Sequence, residues 1–427
     1  MFENRRVCII GMGYVGLTLG IALASRGVNV TGVEINEAIL TSLKSGEAHF
    51  KEAGINDALQ SCLMKGQIDF TDKLPNSSYN FIIITVGTPL DDDGNVNFDG
   101  LNKAIDSLPY FQLAQETVVV LRSTVAVGSS KALFEKFRSK GIENISFAPE
   151  RTIEGNALQE LYSLPQIVGA NNSHALERTS ELFSIMTDKI VKVSSLEIAE
   201  LAKLFNNTYR DITFAVGNYF SLVAQQFGSN GIEAINAANL DYPRGGIPSP
   251  GLVGGPCLEK DPYILSYPKY ITHNIPLLHQ FNFTTMSRTF NESLITSFSE
   301  LIIKHSNGTP IVVSGLAFKG RPATSDLRGS MGMRLFKQLE LACEIHSIHD
   351  FEAFSEELIN ETNLDHLGLP ANGDGKCLLI LNNHQSYENL TVEYLKAFDL
   401  IIDVQGALTA YQSSSLNNKI DFGNIAL

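Results

Sequence analysis

The feature that most restricts the fold is a glycine-rich turn near the N-terminus, Gly11-Met12-Gly13-Tyr14-Val15-Gly16. It follows an apolar run, Arg6–Ile10, and precedes a segment with helical spacing, Val15–Ser25. Glycines at these positions allow a tight turn and let a pyrophosphate approach backbone N–H groups at a helix N-terminus. Such a motif alone is often an ordinary turn. Here a strand precedes it, a helix follows it and an acidic residue occurs at the expected distance, so the pattern predicts dinucleotide binding.

The acidic residue is Glu34, which ends the next apolar run eighteen positions after Gly16. A carboxylate at that place accepts hydrogen bonds from the adenosine ribose hydroxyls and repels a 2′-phosphate. The pattern therefore predicts NAD, rather than NADP, as the cofactor.

Short apolar runs alternate with helical patterns in two parts of the chain, which is typical of parallel, doubly wound sheets. The predicted strands are Arg6–Ile10, Asn29–Glu34, Asn80–Val86, Thr117–Arg122, Ile145–Ala148, Gln166–Gly169, Ile311–Ser314, Glu344–His349, Lys376–Leu381 and Asp399–Ile402. Between these parts, Leu196–Gln226 has no proline and one glycine, and its apolar spacing predicts one long helix. A Gly/Pro-rich loop, residues 242–262, interrupts the helices that follow.

This order predicts an α/β protein with two Rossmann-like, doubly wound domains joined by a helical middle domain that contains the long central helix. We expect the NAD-binding domain over residues 1–195, the helical domain over 196–305 and the second Rossmann-like domain over 306–427.

Composition excludes several classes of function. The net charge of −14 repels nucleic-acid phosphates and anionic lipid, so neither nucleic acid nor membrane is an expected partner. No apolar stretch has the length of a signal peptide or membrane span. The five cysteines are scattered and lack CxxC spacing, so we expect no disulfide framework, no metal site and a cytoplasmic location.

The loop Gly254-Gly255-Pro256-Cys257-Leu258-Glu259-Lys260-Asp261 resembles the nucleophile loop of the UDP-glucose/GDP-mannose dehydrogenase family. Further family fragments occur in the family's order along most of the chain: Thr88-Pro89, Ser123-Thr124-Val125, Pro149-Glu150-Arg151, Glu200 to Asn207 and Gly315-Leu316-Ala317-Phe318-Lys319. The resemblance implies NAD-dependent oxidation of the C6 alcohol of a nucleotide sugar to a carboxylate, which supplies polysaccharide precursors. It also implies that the C-terminal domain binds the UDP-sugar.

Such an oxidation removes four electrons and consumes two NAD for each sugar. The alcohol loses a hydride to give an aldehyde, a thiolate adds to form a thiohemiacetal, and a second hydride loss gives a thioester that water hydrolyses. The scheme needs one cysteine, donors for an oxyanion and a base that activates water.

Cys257 fits the nucleophile, although a buried, inert thiol is the commoner fate of a single cysteine. Glycines on one side and Lys260-Asp261 on the other make burial in an apolar core unfavourable. Cys8 and Cys343 stand beside apolar residues and are expected to pack in the core.

The remaining catalytic roles are implied by the resemblance. Lys203 and Asn207 share one face of the long helix, and their family counterparts hold the oxyanion and an ordered water. Asp261 resembles the family's water-activating carboxylate, with Glu150 and Thr124 as helpers. The alternatives are a solvated helix lysine for Lys203, a surface acid for Glu150 and a strand-end cap for Thr124.

Binding roles are implied in the same way. The substrate-binding candidates are Glu150, Arg151, Lys203, Asn207, Arg244, Gly254 and Lys319. The cofactor candidates are Gly11, Gly13, Tyr14, Val15, Gly16, Glu34, Thr88, Thr124 and Arg328. The family counterpart of Arg244 reaches into the neighbouring subunit's site, which implies a homodimer.

Four positions bear on the substrate and on the match to the family. The family commonly has Asp-Thr-Arg where this chain has Asp403-Val404-Gln405, and an amide cannot replace a guanidinium in bidentate recognition. His384 matches the usual family histidine. Pro149-Glu150-Arg151 resembles the UDP-N-acetylhexosamine 6-dehydrogenase branch, whereas the lysine in Cys257-Leu258-Glu259-Lys260-Asp261 is often lacking in N-acetylmannosamine enzymes. We therefore place a UDP-N-acetylhexosamine ahead of UDP-glucose and GDP-mannose.

Two other functions remain open. A two-electron dehydrogenase of the hydroxyacid or 6-phosphogluconate type shares the fold plan and needs no cysteine. Gln405 favours a second hypothesis, in which the protein binds NAD and a UDP-sugar but has no catalytic activity. Retention of Cys257, Lys203, Asn207 and Asp261 argues against it, because a binding module needs no nucleophile.

Overall fold

The apolar runs near the N-terminus form neighbouring strands of one sheet. The computed structural model describes residues 5–89, 97–108, 116–266 and 270–425. The strands of this sheet are β1 Arg6–Ile10, β2 Asn29–Val33, β3 Ile68–Thr71, β4 Phe81–Ile84, β5 Val118–Leu121, β6 Asn144–Phe147, β7 Gln166–Ala170 and β8 Ile190–Lys192. Their order is β3-β2-β1-β4-β5-β6-β7-β8, and all pairings are parallel except the antiparallel pair β6–β7.

Helices cover both faces of this sheet. Val7 and Ile9 of β1 belong to one apolar core, while Cys8 and Ile10 belong to the core on the other face. Burial on both faces explains why the strands are apolar throughout rather than alternating. The helices of this part are α1 Tyr14–Ala24, α2 Glu37–Lys44, α3 Ile55–Met64, α4 Asp99–Asp106, α5 Ser129–Arg138, α6 Ala157–Ser163 and α7 Ser173–Phe183.

The glycine turn leaves β1 at the point where the strand order reverses, between β2 and β4. In open α/β sheets, ligands bind in the crevice at this switch point. Gly11 has φ +93°, and a Cβ on Gly16 would lie 2.0 Å from the carbonyl oxygen of Gly11. Glycine is therefore required at both places.

The predicted long helix has its predicted bounds, α8 Leu196–Gln226. The helices that follow are α9 Gly231–Asn239, α10 Asp261–Ser266, α11 Pro276–Gln280 and α12 Phe283–Ser306. Among the described residues, no helix combines the length and the hydropathy needed to span a bilayer.

A second sheet occupies the C-terminal part. Its strands are β9 Ile311–Ser314, β10 Ile345–His349, β11 Cys377–Ile380, β12 Leu400–Asp403 and β13 Lys419–Asp421, in the parallel order β10-β9-β11-β12-β13. The accompanying helices are α13 Met331–Leu339, α14 Ser355–Thr362, α15 Val392–Lys396 and α16 Ala410–Ser414, with a 3₁₀ helix at Gln385–Asn389. Val313 and Val312 of β9 point into separate cores on the two faces. The predicted fold class, two Rossmann-like sheets with a helical region and a long helix between them, is confirmed.

The chain divides into two compact units. The first contains Met1–Asn206 and Tyr263–Pro276, and the second contains Asn207–Pro262 and Leu277–Leu427. The boundary at residue 206 falls within α8. The division into three domains at residues 195 and 305 stays a prediction.

Candidate active site

In the first unit, the cofactor candidates of the glycine motif lie at the carboxyl ends of β1 and β2. The carboxylate of Glu34 accepts hydrogen bonds from the amides of Met12 (3.0 Å) and Asn36 (2.9 Å), so it lies against the glycine turn. A Cβ on Gly13 would meet no protein atom within 4 Å. The turn thus leaves room beside its backbone for a pyrophosphate, as NAD binding requires.

Tyr14 ties this turn to a more distant loop. Its hydroxyl is hydrogen-bonded to Glu52, whose carboxylate also accepts from the amides of Gly155 and Ala157, both at 2.8 Å. Burial and the Glu52 carboxylate raise the pKa of Tyr14 well above its ordinary value, so the phenol stays a neutral donor. Glu52 belongs to no motif and was not among the predicted site residues.

Thr88 and Thr124 lie together because they follow the adjacent parallel strands β4 and β5. The hydroxyl of Thr88 donates to the carbonyl oxygen of Thr124 at 2.5 Å. The neighbouring Ser123 hydroxyl donates to the carbonyl oxygen of Val86 at 2.6 Å. These contacts place both threonines at the edge of the sheet where the glycine turn also lies.

Glu150, which follows β6, is buried and paired with an arginine. Its carboxylate accepts from Arg122 at 2.5 Å and from the amides of Arg151 (2.7 Å) and Thr152 (2.9 Å). Burial alone would raise the pKa of Glu150, but Arg122, the Thr152 amide and Lys203 together lower it below its ordinary value. Glu150 is therefore a buried carboxylate rather than a surface acid. Arg122 was not among the predicted site residues, although an arginine at the end of an apolar run is a recognisable sequence signal.

Lys203 on α8 is 8% exposed, and its charge acts on Glu150. Among the described residues it has no hydrogen bond or ion pair. A solvated helix lysine would be exposed, so this burial supports a functional position. Arg151 differs: its guanidinium donates to the carbonyl oxygen of Pro165 and to Asn206 (3.4 Å), and is thus held by the protein.

In the second unit, Cys257 is exposed in a turn directly before α10. All five cysteines lie in described parts of the chain, and Cys257 is the exposed one. Burial raises the pKa of Cys8 and Cys377 to about 12, which keeps those thiols protonated at neutral pH. Cys8 packs in the core as predicted, and Cys343 is half-buried beside the second core. Exposure supports Cys257 as the reactive thiol.

Asp261 lies one helical turn after Cys257, and its amide donates to the Cys257 carbonyl oxygen at 3.0 Å. Its carboxylate is fully buried, with Oδ2 accepting from the amide nitrogen of Asn207 at 2.6 Å. Lys260 lies 3.5 Å from Oδ1, which has no hydrogen bond among the described residues. Two residues that were predicted separately, Asn207 and Asp261, are therefore in direct contact.

The glycines before Cys257 allow a close backbone approach. A Cβ on Gly254 would lie 2.5 Å from the carbonyl oxygen of Gly329. Gly255 has φ +94°, and its Cβ would lie 2.6 Å from the ring of Phe318. The nucleophile loop thus packs directly on the two segments that carry Lys319 and Arg328.

The three cations predicted to bind ligands are differently placed. Arg244 is exposed and lies on Tyr242, with its guanidinium carbon 4.8 Å from the ring centroid. The ammonium of Lys319 lies 5.3 Å from the Phe318 ring. Arg328 makes a bidentate pair with Asp326, with its shortest contact at 2.6 Å.

Two further residues flagged in the sequence have defined surroundings. His384 stacks on Phe351, contacts Glu352 at 3.3 Å and lines an open cavity of about 450 Å³. Gln405 donates to the carbonyl oxygen of Leu252 at 2.9 Å. Its amide therefore holds the backbone that leads to the nucleophile loop.

Two models of one protein family match the chain. The model of the UDP-glucose/GDP-mannose dehydrogenase family, NAD binding domain, matches residues 5–187. The model of the same family's central domain matches residues 197–292. These regions contain the glycine turn, α8 and the nucleophile loop.

Curated relatives extend the match along the chain. The UDP-N-acetyl-D-mannosamine dehydrogenase of Pyrococcus horikoshii is 31% identical over 346 residues, which are 77% of this chain and 79% of that protein. A protein of the same name from Campylobacter jejuni is 28% identical and covers 95% of this chain and 98% of its own. The solved UDP-D-ManNAc dehydrogenase of Pyrococcus horikoshii superposes with a TM-score of 0.83 at 25% identity, covering 99% of this chain and 100% of that one.

Proposed function

The chain belongs to the UDP-glucose/GDP-mannose dehydrogenase family, and we propose that it oxidises UDP-N-acetylmannosamine at C6 to the uronic acid. As a member of the family it is an NAD-dependent nucleotide-sugar dehydrogenase. The substrate is inferred from the names of its relatives in Pyrococcus horikoshii and Campylobacter jejuni. A UDP-N-acetylhexosamine was also the first choice from the sequence.

Exposure of Cys257 beside the buried Asp261 is the observation that carries the proposed mechanism. The Gly11–Gly16 turn and Glu34 would hold NAD, which would supply the hydride acceptor for both oxidations at C6. After the first step the Cys257 thiolate adds to the aldehyde carbon. Loss of the second hydride gives a thioester on Sγ, and water then releases the acid and restores the thiol.

Lys203 and Asn207 are assigned to the oxygen that becomes negative when the thiolate adds. Lys203 is 8% exposed and makes no hydrogen bond among the described residues, so its ammonium can donate to such an oxygen. Asn207 also orients Asp261 through its 2.6 Å hydrogen bond. Asp261 is assigned to proton removal from the attacking water; its Oδ1 atom makes no hydrogen bond among the described residues and lies 3.5 Å from the ammonium of Lys260.

Glu150 and Thr124 are assigned to helper roles near the reacting carbon. The lowered pKa of Glu150 keeps this carboxylate ionised, and its charge interacts with that of Lys203. The Thr88–Thr124 contact fixes both residues at the sheet edge where the cofactor turn lies.

Substrate recognition is assigned to Arg151, Arg244, Gly254 and Lys319, and cofactor contact to Arg328. Positive groups are needed because the substrate and NAD are both anionic and the chain has a net charge of −14. We further propose that the chain works as a homodimer in which Arg244 reaches the neighbouring site. Exposure of Arg244 on its loop is compatible with such a reach.

Three exposed apolar residues of α8, Tyr209, Val216 and Phe220, support the dimer. They recur at helical spacing and form one stripe, and Tyr209 is 70% exposed. A second copy of the chain is the proposed partner for this stripe.

The substrate is tested by offering UDP-N-acetylmannosamine, UDP-N-acetylglucosamine, UDP-glucose and GDP-mannose separately to the purified protein and measuring NADH release. We expect kcat/KM to be highest with UDP-N-acetylmannosamine. A higher kcat/KM with one of the other three would replace the proposed substrate. No turnover with any of them, despite measurable NAD binding, would favour the silent binder suggested by Gln405.

A further inference from the structure

A fully buried arginine, Arg288 of α12, lies beneath residues 251–261, which consist of the nucleophile loop Gly254–Asp261 and the three residues that lead into it. Its Nη2 donates to the carbonyl oxygen of Val253 at 2.9 Å, and its Nη1 donates to that of Leu258 at 3.5 Å. These two carbonyl groups stand on either side of Cys257. One guanidinium therefore contacts the backbone at both ends of the segment that carries the thiol.

The same guanidinium is anchored to α8, because its Nη1 lies 2.9 Å from Oδ1 of Asp211. On its own helix, its Nε lies 3.2 Å from the carboxylate of Glu292. Asp211 is itself fully buried and accepts hydrogen bonds from Asn291 (3.1 Å) and Ser287 (3.3 Å). Asp211 follows Asn207 by one helical turn, so the anchor continues the face of α8 that holds Asp261.

Three other contacts hold the loop backbone. Asn218 of α8 accepts from the amide of Gly251 at 2.8 Å, Gln405 donates to Leu252, and the amide of Gly255 donates to Gly329 at 2.6 Å. Arg288 differs from these contacts because it donates hydrogen bonds to the loop backbone both before and after Cys257. A planar guanidinium suits these two hydrogen bonds because its N–H donors point in fixed directions, whereas an ammonium is a compact point charge.

We propose that Arg288, anchored by Asp211, is a positioning residue that fixes the loop so that Cys257 meets the aldehyde in the second oxidation. This inference rests on the proposed function for its kinetic consequence. The first hydride transfer does not use the thiol, whereas addition of the thiolate to the aldehyde depends on where Sγ lies. Loss of Arg288 should therefore impair the second oxidation far more than the first.

The test compares three variants in the full-length protein. Arg288→Lys keeps a cation beside Asp211 but loses the guanidinium fork. The double variant Arg288→Met/Asp211→Leu removes both charges together, which avoids an unpaired buried charge and favours folding. Lys304→Met, an exposed lysine on the same helix, is the matched control.

Two readouts are measured for each variant. Hydrogen exchange of peptides covering residues 251–261 reports on the loop and requires no activity. NADH release from the nucleotide sugar, with and without a hydrazide that traps free aldehyde, separates the two oxidations. We expect faster exchange in this loop and a loss of acid formation of about 100-fold, as for a misplaced reacting group. With the trap present, the first oxidation should change less than tenfold and yield one NADH per sugar.

Wild-type loop exchange in both Arg288 variants would overturn the proposal, and so would acid formation at the wild-type rate. An equal loss of both oxidations would also overturn it, because it would indicate a general structural defect. If the wild type itself oxidises no nucleotide sugar, the proposed function fails, whereas the exchange measurement still decides whether Arg288 holds the loop.

Discussion

At the scale of single residues, the burial of Lys203 is the observation that bears most directly on catalysis. Lysine is rarely buried, because removing an ammonium from water is costly. Lys203 is nevertheless buried, and the carboxylate of Glu150 is the group on which its charge acts. A lysine kept in this state is suited to stabilise a negative charge that appears only during the reaction.

We expect Lys203→Ala to lower kcat by about 100-fold or more, the usual cost of removing an oxyanion donor. NAD affinity should change little, because the glycine turn is untouched. Steady-state kinetics at saturating NAD, with the exposed Lys131→Ala as control, measure the effect. An unchanged kcat would mean that Lys203 has no part in the chemistry.

The pairing of Arg122 with Glu150 predicts a pH effect. Burial raises the pKa of Glu150 and Arg122 lowers it, so Arg122→Met should raise this pKa. Glu150 would then become protonated at a higher pH, and the acid limb of the kcat/KM profile should move to higher pH. In the wild type, the contribution of Glu150 to folding stability is lost only when the pH falls through the lowered pKa. In Arg122→Met this contribution should be lost at a higher pH. The exposed Arg138→Met is the control. An acid limb at the wild-type position would exclude Glu150 from the mechanism.

At the scale of elements, the sequence predicted well what local pattern determines. The ten predicted strands are present within two residues of their predicted ends, and α8 has its predicted bounds. Three short strands were missed, β3, β8 and β13. Each has three or four residues and includes a charged one, as in Ile-Asp-Phe-Thr, so no apolar run marked it. Pairing with a neighbouring strand, rather than local pattern, makes them strands.

The same limit applies to the candidate site. The glycine turn, the nucleophile loop and the α8 pair were visible because their residues are close in the sequence. Glu52 and Arg122 contact candidate residues of the first unit, and Arg288 contacts the nucleophile loop in the second. Each does so from a distant segment, so only tertiary packing places it there. The roles assigned to the motif residues stay predictions.

The glycine turn gives a paired prediction at this scale. Gly16→Ala should destabilise the protein, because the new methyl would lie 2.0 Å from the carbonyl oxygen of Gly11. Gly13→Ala should fold normally, since its methyl meets no protein atom within 4 Å, yet it should weaken NAD binding by filling the space that the pyrophosphate needs. Thermal unfolding and NAD titration by calorimetry distinguish the two. Equal NAD affinity for Gly13→Ala and the wild type would argue against NAD at this turn.

At the scale of the whole molecule, the apolar stripe on α8 predicts self-association. Light scattering should give twice the chain mass of 46.7 kDa for the wild type. The double variant Tyr209→Ser/Phe220→Ser should shift the mass toward one chain, whereas Met64→Ser, at an exposed apolar position on α3, should not. A monomeric wild type would contradict the dimer and the role of Arg244 across it.

The central claim is a four-electron oxidation through Cys257. Its most direct test is the ratio of NADH formed to UDP-N-acetylmannosamine consumed, for the wild type and for Cys257→Ser, with the product identified by mass spectrometry. We predict two NADH and the uronic acid for the wild type, and no acid for Cys257→Ser with NAD binding retained. One NADH per sugar in the wild type, or acid released by Cys257→Ser at the wild-type rate, would contradict the account.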